Sequence, residues 1–232
     1  MKKFFLFAAA AIAAMTVNAQ TYDFAEMAFA EGDITVTNGT KEWNESKGYF
    51  VVKTNGGETA EEKLMTMTIA QLPKISFTYS NSGVKEAFTV SPSKMITFNG
   101  DQRDITFKGI QAGTYITLTV GSKGKTANSF EDSDTKGAAL TGLSWVSGDR
   151  VLPAKADGEN TQYQDIVVRV TSSAAATLRC TAGGYNLTKI VIGGTQGFEK
   201  VDAAVKAEKR FENGQLVIIK NGVKYNALGA QF

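Results

Sequence analysis

In the run Thr114-Tyr115-Ile116-Thr117-Leu118-Thr119-Val120 every second side chain is apolar. That two-residue period predicts a strand with Ile116, Leu118 and Val120 toward a core and the threonines toward solvent. Ile166, Val168 and Val170 repeat the pattern with Val167 and Arg169 opposite, and Ile105 with Phe107 does so in a shorter run. Leu178 and Cys180 share the face of another. Further strands are expected near residues 34–36, 49–52, 64–69, 75–79, 95–98 and 187–192, with Gly, Asn and Asp clusters between them. Such spacing predicts an all-β fold, a jelly-roll-like antiparallel β-sandwich over residues 20–194. Residues 121–137 and 142–162, the second holding Trp145, read as long surface loops, either functional or ordinary excursions.

The two ends are written differently. Residues 198–211 read as a charged amphipathic helix, with Val201 and Val205 one turn apart. Asn213-Gly214 and Asn221-Gly222 then bracket an apolar run, the signal of a β-hairpin. Residues 195–232 are therefore expected to form a short C-terminal helix and a hairpin tail. At the start, Lys2 and Lys3 precede an uncharged apolar run from residue 4 to 15, and Val17-Asn18-Ala19 offers small side chains to a peptidase. This predicts a signal peptide over residues 1–19, cut before Gln20, and a secreted or cell-surface protein. The run is short for a bilayer span, and no later segment has the length and apolarity of one. No cysteine follows the cut to carry a lipid.

Charge narrows the partners. Two of the 25 basic side chains lie in residues 1–19, leaving 23 against 23 acidic ones. A balanced surface makes no phosphate-neutralising field, so neither nucleic acid nor an anionic membrane is expected as a partner. Cys180 is alone, which excludes an internal disulfide, and its place in an alternating run predicts a buried thiol. Histidine is absent, so Ser-His and Cys-His nucleophile activation and histidine-ligated metals are excluded. A carboxylate pair, a lyase-type base such as Tyr163 or Lys189, and an oxygen-ligated calcium site stay open.

Three stretches then resemble, in the expected order, the carbohydrate-binding modules of the galactose-binding-like superfamily. Phe24-Ala25-Glu26-Met27-Ala28, with Gly32 and Gly48-Tyr49, is similar to their opening. Ala112-Gly113 and the Thr114 to Val120 run resemble a core strand. Gly183-Gly184-Tyr185-Asn186-Leu187-Thr188-Lys189-Ile190 resembles a closing strand whose asparagine bonds sugar, although Thr188 and Lys189 stand where the family carries acidic and aromatic residues. The resemblance implies a glycan or polysaccharide partner, and a contribution of Glu26 to a structural calcium site; no other cofactor is expected. The tail from Phe211 to Leu228 resembles a shortened sorting tail of type IX secretion, which implies secretion machinery as a second partner.

Sugar recognition needs flat rings against C–H faces and amides or charges against hydroxyls. Trp145, Arg150, Tyr163, Tyr185 and Asn186 supply those types and are expected to converge at one end of the sandwich. The bland alternative is that Trp145 caps the core and the tyrosines are ordinary strand residues. Trp43 is expected to tuck under a sheet edge, and Glu131, Asp132 and Asp134 to form a solvated acidic loop. The reading is a secreted, non-catalytic carbohydrate-binding accessory protein. An extracellular structural or adhesion protein is the alternative, and a small polysaccharide lyase or glycosidase a weaker one.

Overall fold

The computed structural model describes residues 19–193 except Asp157, and the backbone of three strands further on, Glu208–Glu212, Gln215–Lys220 and Val223–Asn226. The described residues are nearly all β. One four-residue α-helix, Ala60–Lys63, and one 3-10 turn, Glu31–Asp33, are the helical elements among them. The chain divides into two compact units, residues 1–194 and 195–232.

The first unit is a sandwich of two antiparallel sheets. The larger runs in the order Leu143–Ser147, Tyr163–Val170, Tyr115–Ser122, Tyr185–Ile192, Met95–Phe98, Glu86–Ser91, Tyr49–Thr54, Gly39–Asn44, with Gln20–Asp23 also paired to Tyr185–Ile192. The smaller runs Leu140–Thr141, Ala176–Cys180, Arg103–Phe107, Ile75–Ser80, Leu64–Ile69, Ile34–Thr37. Each strand named from its alternation is present. Ile116, Leu118, Val120, Ile166, Val168 and Val170 are buried, as their phase requires.

Phe77 of the smaller sheet meets Phe88 and Phe98 of the larger at 6.0 and 5.8 Å between ring centroids, both edge to face. These rings close the space between the layers, and each fully buried Phe contributes about 2 to 3 kcal/mol. Arg103 ties the layers at one end: its guanidinium lies 4.0 Å from the Tyr79 ring centroid and donates to the carbonyls of Ala87, Glu86 and Asp101. On the outer face of the smaller sheet Arg179 grips Asp104 through two bonds of 2.7 Å. At Asn38-Gly39 the chain steps from the smaller sheet to the larger. Asn38 has φ 54° and donates to the carbonyls of Glu61 and Leu64. A Cβ on Gly39 would lie 2.4 Å from the Lys53 carbonyl oxygen and 2.7 Å from Met65.

Two expectations are corrected. The supposed loops carry sheet: Leu143–Ser147 is an edge strand of the larger sheet, and Asn128–Ser129 pairs with Val151–Leu152. Gly142 and Gly148 break the local pattern, and pairing with Tyr163–Val170 overrides it. In the second unit the strands Glu208–Glu212, Gln215–Lys220 and Val223–Asn226 form one antiparallel sheet. The helix expected over residues 198–211 is therefore a strand from Glu208 onward. Phe211 stands opposite Leu216 and Arg210 opposite Val217, a cross-strand register that a marginal helix of this length does not resist. Residues 198–207 and residues 1–18 of the expected signal peptide, 1–19, lie outside the described residues.

Candidate sugar-binding face

The expected convergence of five residues does not occur, because the sheet sorts them onto opposite faces. Tyr185 is fully buried: it stacks on Phe98 at 4.1 Å and meets Phe130 edge to face at 5.1 Å. It points inward with Leu187, Ile190 and Ile192, the phase being kept by a bulge opposite Thr119-Val120. Burial drives its phenol pKa well up. Tyr185 is a core residue and reaches no ligand. Trp145 pairs with inward-facing Val168 at the sheet edge and lies half-buried against Phe130, with its indole N–H donating to the Gly148 carbonyl. Arg150 stacks on that ring at 5.3 Å. The pair caps the core edge on the core-facing side of the sheet. Trp43 packs on Phe50 at 4.7 Å yet stays 46% exposed, so it is only partly tucked.

Tyr163 and Asn186 do come together, on the outer face of the larger sheet. Both are register partners of Gly121, which stands between them. A Cβ there would lie 2.9 Å from the Tyr163 ring and 2.5 Å from Thr161. The missing side chain thus leaves room for the ring to lie over its neighbour strand, with its hydroxyl 3.9 Å from the Met95 sulfur. Tyr163 stays 41% exposed. Its burial raises the phenol pKa, and hydrogen bonds with Asn186 and Thr161 partly offset this.

From this point a row of side chains crosses the sheet, one per strand: Tyr163, Gly121, Asn186, Thr97, Thr89, Val51 and Glu42. Hydrogen bonds link it. The Thr97 hydroxyl donates to Asn186 Oδ1 at 2.8 Å, Asn99 Nδ2 donates to the Thr89 hydroxyl at 3.0 Å, and the Lys123 ammonium donates to Asn99 Oδ1 at 2.6 Å. Nearby, the Thr119 hydroxyl donates to Asp165 at 2.6 Å. The partly exposed Tyr163 ring can stack on a pyranose, while Asn186 and Thr97 beside it, 8% and 9% exposed, present only the edges of an amide and a hydroxyl to a sugar.

Met95, Thr97, Asn99, Gly121 and Lys123 were not singled out from the sequence. Alternation in Met95–Phe98, where Ile96 and Phe98 face the core, already places Met95 and Thr97 on the outer face. What joins them to Tyr163 is strand order, which alternation does not encode.

Other expected sites fare plainly. Glu26 is exposed in the turn after the first strand, and among the described residues no cluster of three or more His, Cys, Asp or Glu side chains is placed to hold a metal. Asp132 accepts a hydrogen bond from the Ala139 backbone, which ties down the acidic loop. Cys180 is buried with its thiol on the Ala182 carbonyl, and burial pushes its pKa up to about 12.

The sequence matches no family model and no curated protein. Among solved structures, BiXyn10A CBM1 in its apo form aligns over 76% of this chain and 97% of its own, at 9% identity and a TM-score of 0.24. A superposition that loose carries no inference about ligand or activity.

Proposed function

We propose that the protein is an exported, non-catalytic accessory protein that binds carbohydrate on the outer face of its larger sheet. The observation that carries this reading is the Tyr163 ring lying over side-chain-free Gly121, with Asn186 and Thr97 beside it. The reading includes a jelly-roll-like wiring of residues 20–194, removal of residues 1–19 on export, and a sorting role for the tail in 195–232. N-terminal sequencing of the protein recovered outside the cell should begin at Gln20.

A glycan array with the full chain, run with and without a chelator, tests the binding. Tyr163→Ala and Asn186→Ala should each weaken retention at least about fivefold with unchanged circular dichroism. Retention that survives both substitutions removes this face from the proposal. The second reading, an extracellular structural or adhesion protein, is favoured by the inward turn of Trp145 and Tyr185, which takes two rings from the surface. An array on which nothing is retained selects it.

A further inference from the structure

We propose that a glycine-lined cleft beside the polar row receives an anionic oxygen group, a carboxylate or a sulfate ester, carried by the bound glycan. The inference rests on the carbohydrate reading above and names the class of glycan. The cleft has a volume of about 260 Å³, and Asn99, Gly100, Lys123, Lys125, Gly183 and Gly184 are among the residues lining it. Among the described residues that line it none is acidic.

Its walls are backbone because nothing larger fits. A Cβ on Gly184 would lie 2.4 Å from the Phe98 carbonyl oxygen and 2.9 Å from the Gly100 nitrogen, and one on Gly183, at φ +65°, would lie 2.5 Å from the Ala127 oxygen. Glycine there lets the backbones pack together, and the Lys123 ammonium stands beside a wall of main chain. That ammonium has three N–H donors to place. One goes to Asn99, which flanks the row and bonds its member Thr89, so a glycan on the row lies beside the cleft.

A second cation stands directly behind. A Cβ on Gly100 would meet the Arg103 guanidinium at 2.7 Å, which places that buried charge under the cleft wall. Arg103 donates to the carbonyls of Ala87, Glu86 and Asp101, while the Asp101 carboxylate offsets part of its charge through space. Burial and the Arg103 charge hold the Lys123 pKa below the ordinary lysine range, and the Glu86 carboxylate offsets part of that. An anion in the cleft compensates charge at both cations, where a neutral hydroxyl can only accept a hydrogen bond from Lys123.

The test has two arms on the full chain. Calorimetry with oligosaccharides of one backbone, neutral, uronate-bearing or sulfated, should show one anionic series binding about tenfold tighter than the neutral one at low salt. Lys123→Gln should cost the anionic series about tenfold more affinity than the neutral one, and Lys123→Arg should restore the preference; which anionic series gains decides between carboxylate and sulfate. In the second arm, sodium sulfate titrated into ¹⁵N-labelled protein should shift the amides of Lys123, Gly124, Gly183 and Gly184, and fail to do so in Lys123→Gln. Equal binding of all series overturns the inference and leaves the carbohydrate reading standing. Sulfate shifts with no glycan retained in any series overturn both, leaving only a free-anion site.

Discussion

Gly121 shows how much a single absent side chain can decide. Replacing it with Ala puts a methyl group 2.5 Å from Thr161 and 2.9 Å from the Tyr163 ring, so the ring must lift off the strand. Gly121→Ala should therefore weaken glycan retention about as much as Tyr163→Ala, which array or calorimetric measurement checks, while costing the fold only about 1 to 3 kcal/mol from overpacking. Cys180 makes the opposite case, a reactive group rendered inert. With its pKa near 12 and no solvent contact, it should resist a thiol-specific chromogenic reagent at pH 8 and react at once in denaturant. That burial was legible from Leu178 and Cys180 sharing one phase. The place of Gly121 was not, because a glycine in an alternating run looks like an interruption until its cross-strand neighbours are known.

At the scale of elements, the step between the sheets at Asn38-Gly39 is the tightest joint described. Asn38 holds a positive φ and bonds two carbonyls of the helix-and-strand segment that follows, and Gly39 has no room for a methyl group. Gly39→Ala should lower stability by about 1 to 3 kcal/mol, read as a shift in the denaturation midpoint, with the Asn38→Ala loss near the lower end. Alternation revealed the strands with a clean apolar phase, such as Tyr115–Ser122 and Tyr163–Val170. It missed Leu143–Ser147 and Gly39–Asn44, edge strands whose exposed positions blur the two-residue period. It also favoured a helix at residues 198–211, where valines four apart imitate helical periodicity, while pairing with Gln215–Lys220 decides the outcome from Glu208 on.

For the molecule as a whole, the absence of histidine leaves the middle of the pH range without an ordinary titrating side chain, and the displaced groups lie at its ends. Cys180, Tyr22 and Tyr185 all have raised pKa values in the fold because burial disfavours their charged forms. In the unfolded chain they release protons earlier, from about pH 9 upward, so the folded state holds more protons there and stability falls as pH rises. The melting temperature should be level near neutrality and decline above about pH 9, with calorimetric scans across pH as the check. At the acid end Asp33 and Glu62 have lowered pKa values from hydrogen bonds, but both are exposed, so the loss on acidification should be slight. The sandwich class was readable from composition and period, while the arrangement of its binding face was not, since Asn186 and Tyr185 are adjacent in sequence yet look out of opposite sides. If the proposed face binds a polysaccharide, the row across the larger sheet would also act as a ruler. Strands repeat every 4.8 Å or so, close to the advance of one sugar in an extended polysaccharide, so a chain lying across them meets one fresh contact per unit. Affinity should then climb with each added sugar and level off once the oligomer outgrows the row, making the protein a reader of chain length.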